Sequence, residues 1–271
     1  ATYHQLYQVN VVATAALVRF ATAGDETKPI HFVSTQAIFN TSERQQFEVI
    51  GGDDMPLDVE EIHSAYAQSK WVSEKMLRAV SNRGFPVTIH RPGLVVGHSQ
   101  SGYVSKEDFL TRFIAGCVAI GTYPDLEVAV DMIAVDQLAA GIVACLRLEQ
   151  PTSTGIIWSG GEAWSLMEVV KLFAHQNQSL EAISLDQWLD RIRSTGTAHT
   201  LFPLLPFLTT TTGKKHQTIL EALHQLPLKV EGRITESHRI NSLQKSFQIT
   251  ADLLLQMNVW MREQQIIPQT H

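Results

Sequence analysis

The chain has 271 residues, 44% hydrophobic and 18% charged, a globular balance sufficient for one large domain or two smaller ones. A net charge of −6 and a pI near 6.0 offer no basic face for nucleic acid. No apolar run approaches the length of about 18 residues that a membrane span requires, and the opening ATYHQLYQVN lacks the basic-then-apolar order of a signal peptide.

Tyr7 to Gly24, YQVNVVATAALVRFATAG, places apolar residues at helical spacing and stops on Gly. Pro29 to Thr35, PIHFVST, is a short apolar run that predicts a buried strand with polar residues at its end. Residues 40–62 are polar and acidic, and GGDDMP marks a loop. A helix-forming stretch, HSAYAQSKWVSEKML, runs from His63 to Leu77. Arg83 to Gly93, RGFPVTIHRPG, predicts a turn, a strand from Val87 to His90 and a Pro-Gly stop. KEDFLTRFIAGCVAIG predicts a helix ending at Gly121, and VAVDMIAVDQLAAGIVACLRL a strand followed by a helix capped by Asp136. GIIWSGG predicts another strand, and AWSLMEVVKLFAHQ an amphipathic helix with Ser165 as its candidate cap. The two cysteines, Cys117 and Cys145, fall within apolar helices, which points to buried thiols and a reducing, cytoplasmic setting. The eleven histidines show no metal-ligand spacing, so no metal site is expected.

Beyond residue 180 the pattern changes. LFPLLPFLTTTTGKKHQ is broken by proline and then rich in Thr, and HQTILEALHQLP and TADLLLQMNVWMREQQIIP predict helices ended by proline. TTTTGKK lacks the first Gly of a phosphate loop and follows no strand, so a plain loop is expected.

Helices alternating with continuously apolar strands predict an α/β fold with parallel strands buried on both faces. The expected architecture is the C-terminal part of a doubly wound, Rossmann-type sheet over residues 1–149, with a smaller, mainly helical substrate region over 150–271. Ser34 and Thr35 follow the first strand, and Arg91, Pro92 and Gly93 follow the second. Ligands of open α/β sheets bind outside such carboxyl ends.

Tyr66 and Lys70 lie one helical turn apart and project the same way. A cation beside a phenol stabilises the phenolate. A unit charge about 4 Å away, at an effective dielectric near 20, supplies about 4 kcal/mol. That is enough to bring a tyrosine from its ordinary pKa of about 10 toward neutrality, where a general acid works best. The spacing alone is a weak signal. Its weight comes from the order in which it occurs: a strand ending VST, a Tyr-x-x-x-Lys helix, a strand ending RPG, and the entry DMIAVDQLA.

This order resembles the extended short-chain dehydrogenase/reductase family. In particular, YAQSKWVSEKML, VTIHRPGLVVGHSQSGYVSKEDFLTRFIAGC and DMIAVDQLAAGIVACL resemble the terminal thioester reductase domains of nonribosomal peptide and polyketide synthetases. Related domains occur in carboxylic acid and aminoadipate reductases. The resemblance covers most of residues 5–165 and fades afterwards. It implies Thr35, Tyr66 and Lys70 as catalytic residues, with Ser34, Tyr66, Lys70, Arg91, Pro92 and Gly93 at the cofactor. Asn10 matches a family asparagine in the preceding helix, while the family's Gly nearby is Ala13 here. The resemblance also implies NADPH as reductant and, as partner, a phosphopantetheinylated carrier domain bearing an acyl or peptidyl thioester. The product is an aldehyde, or an alcohol after a second round.

One departure is large. Such folds hold the pyrophosphate on a Gly-rich turn after the first strand. No G-x-G-x-x-G occurs in this sequence, IGGDDMP leads into acidic residues, and SGGEAW comes too late. The expectation is therefore a fragment of a longer synthetase, with an incomplete NADPH site, weak NADPH binding and little activity by itself. The strand around Ile30 is expected to present a raw edge that a second chain could cover. Two other readings stay open: a nucleotide-sugar epimerase or dehydratase sharing Thr35, Tyr66 and Lys70, and a non-catalytic remnant that binds only a carrier domain or partner.

Overall fold

The computed structural model describes residues 2–24, 26–41, 50–148, 155–174, 179–211, 216–224 and 238–268. Its centre is a parallel sheet of three strands, β1 (Ile30–Val33), β2 (Val87–Pro92) and β7 (Gly155–Trp158), in the order β1-β2-β7. All six residues of β2 and all four of β7 are buried, which is why both read as unbroken apolar runs. Among the described residues β1 pairs only with β2, in register Ile30 to Val87, so it forms the expected edge. Parallel neighbours require a crossover, and α3 (Ala65–Ser81) supplies it between β1 and β2.

The remaining strands form three small pairs. β3 (Leu94–Val96) pairs in parallel with β6 (Met132–Ala134), and β4 (Thr122–Pro124) with β9 (Glu181–Ile183). β5 (Ala129–Val130) pairs antiparallel with β8 (Trp164–Ser165). The largest core cluster joins α4 (Phe109–Ile120), α6 (Leu166–Leu172), α7 (Leu185–Thr195) and α11 (Ala251–Glu263). Phe113, Phe173 and Trp188 are fully buried at its centre, with Met257 and Met261 filling from α11. A second cluster, including Trp158, lies under α5 (Val135–Leu146). Cys117 and Cys145 are buried free thiols, as their apolar settings predict. Among the described residues no helix is long and apolar enough to cross a membrane.

Local signals hold at several ends. Ser165 caps α6 by accepting the Glu168 N–H, and Gly121 closes α4 in the left-handed region. Three expectations need correction. Asp136 does not cap α5, because β6 runs straight into the helix and the cap position falls on Ala134. Asp136 sits in the first turn instead, and its carboxylate takes the Ser99 N–H and Oγ–H. The helix read from Tyr7 to Gly24 is two pieces, a π-helical turn (Tyr7–Val12) and α2 (Ala13–Ala21), and α1 (Tyr3–Leu6) leads into them. The second strand runs two residues past His90, to Pro92. The run TTTTGKK lies mostly outside the described residues, as does part of the acidic 40–62 stretch.

Candidate active site

β1 delivers the chain to Ser34, whose N–H donates to the His90 carbonyl at 2.6 Å and extends the ladder by one residue. Thr35 then turns the chain. Its backbone is extended, and its Oγ1 accepts the Ala37 N–H at 3.1 Å, capping a short 3₁₀ turn (Gln36–Phe39). That bond uses a lone pair and leaves the hydroxyl proton to donate elsewhere.

α3 starts at Ser64, whose side chain accepts the Ala67 N–H. Tyr66 and Lys70 follow on one face. Lys70 Nζ donates to the Val33 carbonyl at 2.9 Å, two residues before Thr35. The same ammonium lies 4.8 Å from the Phe32 ring centroid and 5.8 Å from that of Tyr66. One lysine therefore ties the Tyr66 turn of the helix to the carboxyl end of β1.

The π-helical turn pins α3 from behind. Asn10 Nδ2 donates to Ser69 Oγ at 2.8 Å, and Ser69 Oγ donates to the Tyr66 carbonyl at 2.7 Å. The Asn10 carbonyl accepts from Thr14 Oγ1 and, at 3.0 Å, from Ser73 Oγ. π-turns recur at functional sites because the extra residue re-aims its neighbours. Here it serves the backbone of Tyr66.

The electrostatics differ from the expectation. Partial burial raises the Tyr66 pKa above its ordinary value rather than lowering it. Burial also lowers the Lys70 pKa, opposed by the Glu74 carboxylate one turn along. The reason is geometric: the ammonium is engaged by the Val33 carbonyl and the Phe32 ring rather than held at the phenol oxygen. A Tyr66 that keeps its proton at neutral pH is a donor, as a reductive step requires.

Arg91 is engaged within the fold. Because β2 continues to Pro92, Arg91 points into the α3 side of the sheet and is fully buried. Its guanidinium grips Glu74, with Nη2 to Oε2 at 2.6 Å and Nε to Oε1 at 3.1 Å. It also donates to the Gly52 carbonyl at 3.0 Å and lies over the Phe39 ring. Its side chain is thus committed to Glu74 and Gly52. Gly93 N–H donates to the Trp158 carbonyl, and a Cβ there would stand 2.5 Å from the Asp131 carbonyl oxygen, so only glycine fits.

A carboxylate to which the sequence reading assigned no role joins these strand ends. Asp131 accepts from Gln36 Nε2 at 2.6 Å and from Ser159 Oγ at 2.7 Å. Gln36 Nε2 also reaches the Trp158 carbonyl at 3.1 Å. Burial raises the Asp131 pKa, and these bonds oppose the rise. Asp131 thereby clamps the Thr35 turn to the ends of β2 and β7. The available signal was a lone acid between two apolar β-runs, VAVDMIAV.

These groups suit the nicotinamide and ribose end of a dinucleotide: an ammonium and a phenol on one helix face, beside a hydroxyl turn. Ser34 Oγ adds a buried hydroxyl at the same strand end, with no hydrogen-bond partner among the described residues. The pyrophosphate end has no Gly-rich turn in this sequence.

Comparison with known proteins gives the family and the fold. The family model described as male sterility protein, an NAD-binding family, matches residues 1–142. A linear gramicidin synthase polypeptide of Brevibacillus parabrevis is 31% identical over 191 residues, covering 70% of this chain and 4% of that protein. The aldehyde reductase lnaA of Aspergillus flavus is 33% identical over 219 residues, covering 74% of this chain and 20% of that protein. The chain thus spans a fifth or less of these relatives. Among solved structures, the terminal R domain of the myxalamid PKS-NRPS pathway superposes with a TM-score of 0.76 at 24% identity, covering all of this chain and 67% of that one. A thiolation-reductase di-domain from an archaeal nonribosomal peptide synthetase gives 0.67 at 16% identity, covering 94% and 53%. Both show a shared Rossmann-type fold. The chain belongs to the male sterility protein family of NAD-binding domains.

Proposed function

We propose that this chain carries the proton-donating and nicotinamide-facing part of an NADPH-dependent reductase that releases a carrier-bound acyl or peptidyl thioester as an aldehyde. The observation that supports the reading is the Lys70 bond to the Val33 carbonyl, which ties the helix bearing Tyr66 to the strand that leads into Thr35. The relatives support it: a gramicidin synthase and an aldehyde reductase each contain a stretch similar to this chain.

NADPH, when bound, supplies the hydride. A hydride, carrying two electrons and a proton, and one further proton are added to the thioester carbonyl, giving a hemithioacetal whose hydroxyl proton passes to sulfur on collapse. Its C–S bond then breaks, and the aldehyde and the pantetheine thiol leave. Tyr66 gives its proton to the developing oxyanion, and the Thr35 hydroxyl donates a hydrogen bond to it. Lys70 would hold the ribose diol of the bound cofactor and support the phenol as Tyr66 loses its proton, and Ser34 with the backbone at Pro92 and Gly93 would border the ring.

The test is NADPH-dependent reduction of a pantetheine thioester by the full polypeptide in which residues 1–271 occur. Tyr66→Phe should lower kcat about 10²- to 10⁴-fold, and Thr35→Ala about 10²- to 10³-fold. A Tyr66→Phe enzyme as fast as its parent would overturn the assignment. The isolated 271-residue chain should bind NADPH weakly, and tight binding by calorimetry would contradict a site completed elsewhere.

A further inference from the structure

We propose that the cavity beyond the carboxyl ends of β3 and β6 receives the apolar end of the acyl group, a linear or branched aliphatic chain of roughly four to six carbons. This rests on the thioester-reductase reading and adds a substrate class to it. The cavity encloses about 180 Å³. At about 30 Å³ per water, that is the space of roughly six waters. Whole ligand sites commonly exceed about 300 Å³, so this one suits a terminal group rather than an entire substrate.

Its chemistry is apolar. Val96, Val104, Leu110 and Met257 are buried and form the floor. Tyr103 and Val135 also line it and are 57% and 41% exposed, which places them at the mouth. The charged residue in the lining is Asp108, whose carboxylate caps α4 by accepting the Leu110 N–H at 3.0 Å. With that bond made, the wall does not require a cationic ligand.

The cavity lies along β3 from the candidate active site. The Trp158 carbonyl accepts from both Gly93 N–H and Gln36 Nε2, at 3.1 Å each, so Gly93 lies beside the turn that carries Thr35. From Gly93 the chain enters β3, and the lining begins at Val95. At about 3.3 Å per residue, the lining begins about 7 Å along the chain from Gly93.

The wall is also fixed in advance. Ser99 binds the Asp136 carboxylate through N–H at 2.7 Å and Oγ at 2.6 Å. His98 N–H donates to the Tyr103 carbonyl, and Gly102 N–H to the His98 carbonyl, each at 2.9 Å. Gly102 has φ +67°, and a Cβ there would fall 2.4 Å from the Gln256 carbonyl oxygen on α11. Loop and helix are thus locked together around the space, so a ligand would not have to order them.

The experiment uses the full polypeptide, NADPH and a series of acyl-pantetheine thioesters from acetyl to decanoyl, including branched members. Once the chain is long enough to enter the cavity, each further methylene should raise kcat/KM about four-fold until the cavity is full, after which the gain stops or reverses. Met257→Ala should move the optimum to longer chains, and Val104→Phe should move it to shorter ones. Binding is read separately with non-reducible acyl-pantetheine amides. Trp260 lies edge-on to Tyr103 at 5.1 Å, so chain-length-dependent quenching that disappears in Trp260→Phe reports occupancy at the mouth. If thioesters are reduced with a flat profile that neither substitution moves, the cavity assignment is wrong while the reductase reading stands. If no thioester is reduced yet amides quench Trp260 with the predicted chain-length order, the cavity stands and the reductase reading falls. If the amides give no chain-length-dependent quenching, the cavity assignment falls.

Discussion

His90 and Arg91 are neighbours on β2, both fully buried, and they meet the cost of burying an ionisable group in opposite ways. Arg91 keeps its charge and takes a carboxylate inside with it, the bidentate Glu74 of α3. His90 gives up its charge. Burial, and then the nearby His31, push its pKa down to about 3. Trp158 Nε1–H donates to His90 Nδ1 at 3.1 Å, and indole can only donate, so the His90 proton sits on Nε2. That proton points at His31 Nδ1, 3.0 Å away on the edge strand. One face of the strand is therefore an ion pair and the other a neutral chain from Trp158 through His90 to His31. The difference follows from what each face meets: α3 can bring an acid, whereas β1 and β7 bring rings. The ionic face also serves the candidate site, because Tyr66, Lys70 and Glu74 stand on successive turns of α3.

The largest expected effect comes from breaking the ionic face. Glu74→Ala leaves the Arg91 charge buried without its partner and should cost about 3–5 kcal/mol of stability. Chemical denaturation of the parent and variant measures it. A loss below about 1 kcal/mol, the scale of a surface pair, would mean that water reaches Arg91 and that the pair is not the clamp described.

The neutral face is broken by acid. His90 has a folded pKa near 3 against an ordinary 6.5, so below pH 6.5 the unfolded chain binds the extra proton and the folded chain does not. Stability is then fully present above about pH 6.5 and falls with acid toward pH 3, by up to about 1.4 kcal/mol per unit. His31, also lowered by burial, adds to the same trend. Asp136, held low by Ser99, adds to it only in the carboxylate range. Denaturant midpoints from pH 7 to pH 4 should show the slope, and His90→Gln should flatten it; a slope unchanged by that substitution would place the proton elsewhere. A smaller effect follows at the end of the chain: His31→Phe removes the acceptor of the His90 Nε2–H and should cost about 1–3 kcal/mol at neutral pH. The same denaturation measurement checks it, and no loss would mean that the His90 proton has another acceptor.

The sequence made the two strands legible because their apolar runs are short, unbroken and bounded by turn residues, and it made Tyr66 and Lys70 legible because one helical turn is a fixed spacing. Ser165 and Gly121 were legible as ends because each end is decided by a local hydrogen bond or backbone region. What failed was long-range. Nothing local says that β2 continues through Arg91, since an arginine looks like a strand end until a buried glutamate 17 residues away is known to face it. Asp131 meets Gln36 across 95 residues, and no spacing rule spans that distance. The π-turn was invisible for a different reason: its apolar pattern is helical, and the extra residue is selected by Asn10 reaching Ser69 rather than by composition.

The smallest expected effect sharpens the comparison most. Replacing both partners, Glu74→Leu with Arg91→Met, removes two buried charges and fills the space with side chains of similar volume. The result should lie within about 1 kcal/mol of the parent, because breaking a buried pair is far more costly than deleting it. The Gly52 carbonyl keeps a donor, since Arg78 Nη2 already binds it at 3.0 Å, so no buried acceptor is stranded. A double variant as weak as Glu74→Ala would show that the guanidinium's shape, spanning Glu74, Gly52 and Phe39, matters more than its charge. A recovered double variant would instead separate stability from chemistry. Lys70 would then sit on a stable helix without the carboxylate that supports its charge. Its pKa should fall further, and the alkaline limb of the kcat profile should move to lower pH while the fold remains intact. A profile that stays in place would mean that Glu74 acts on α3 only through packing.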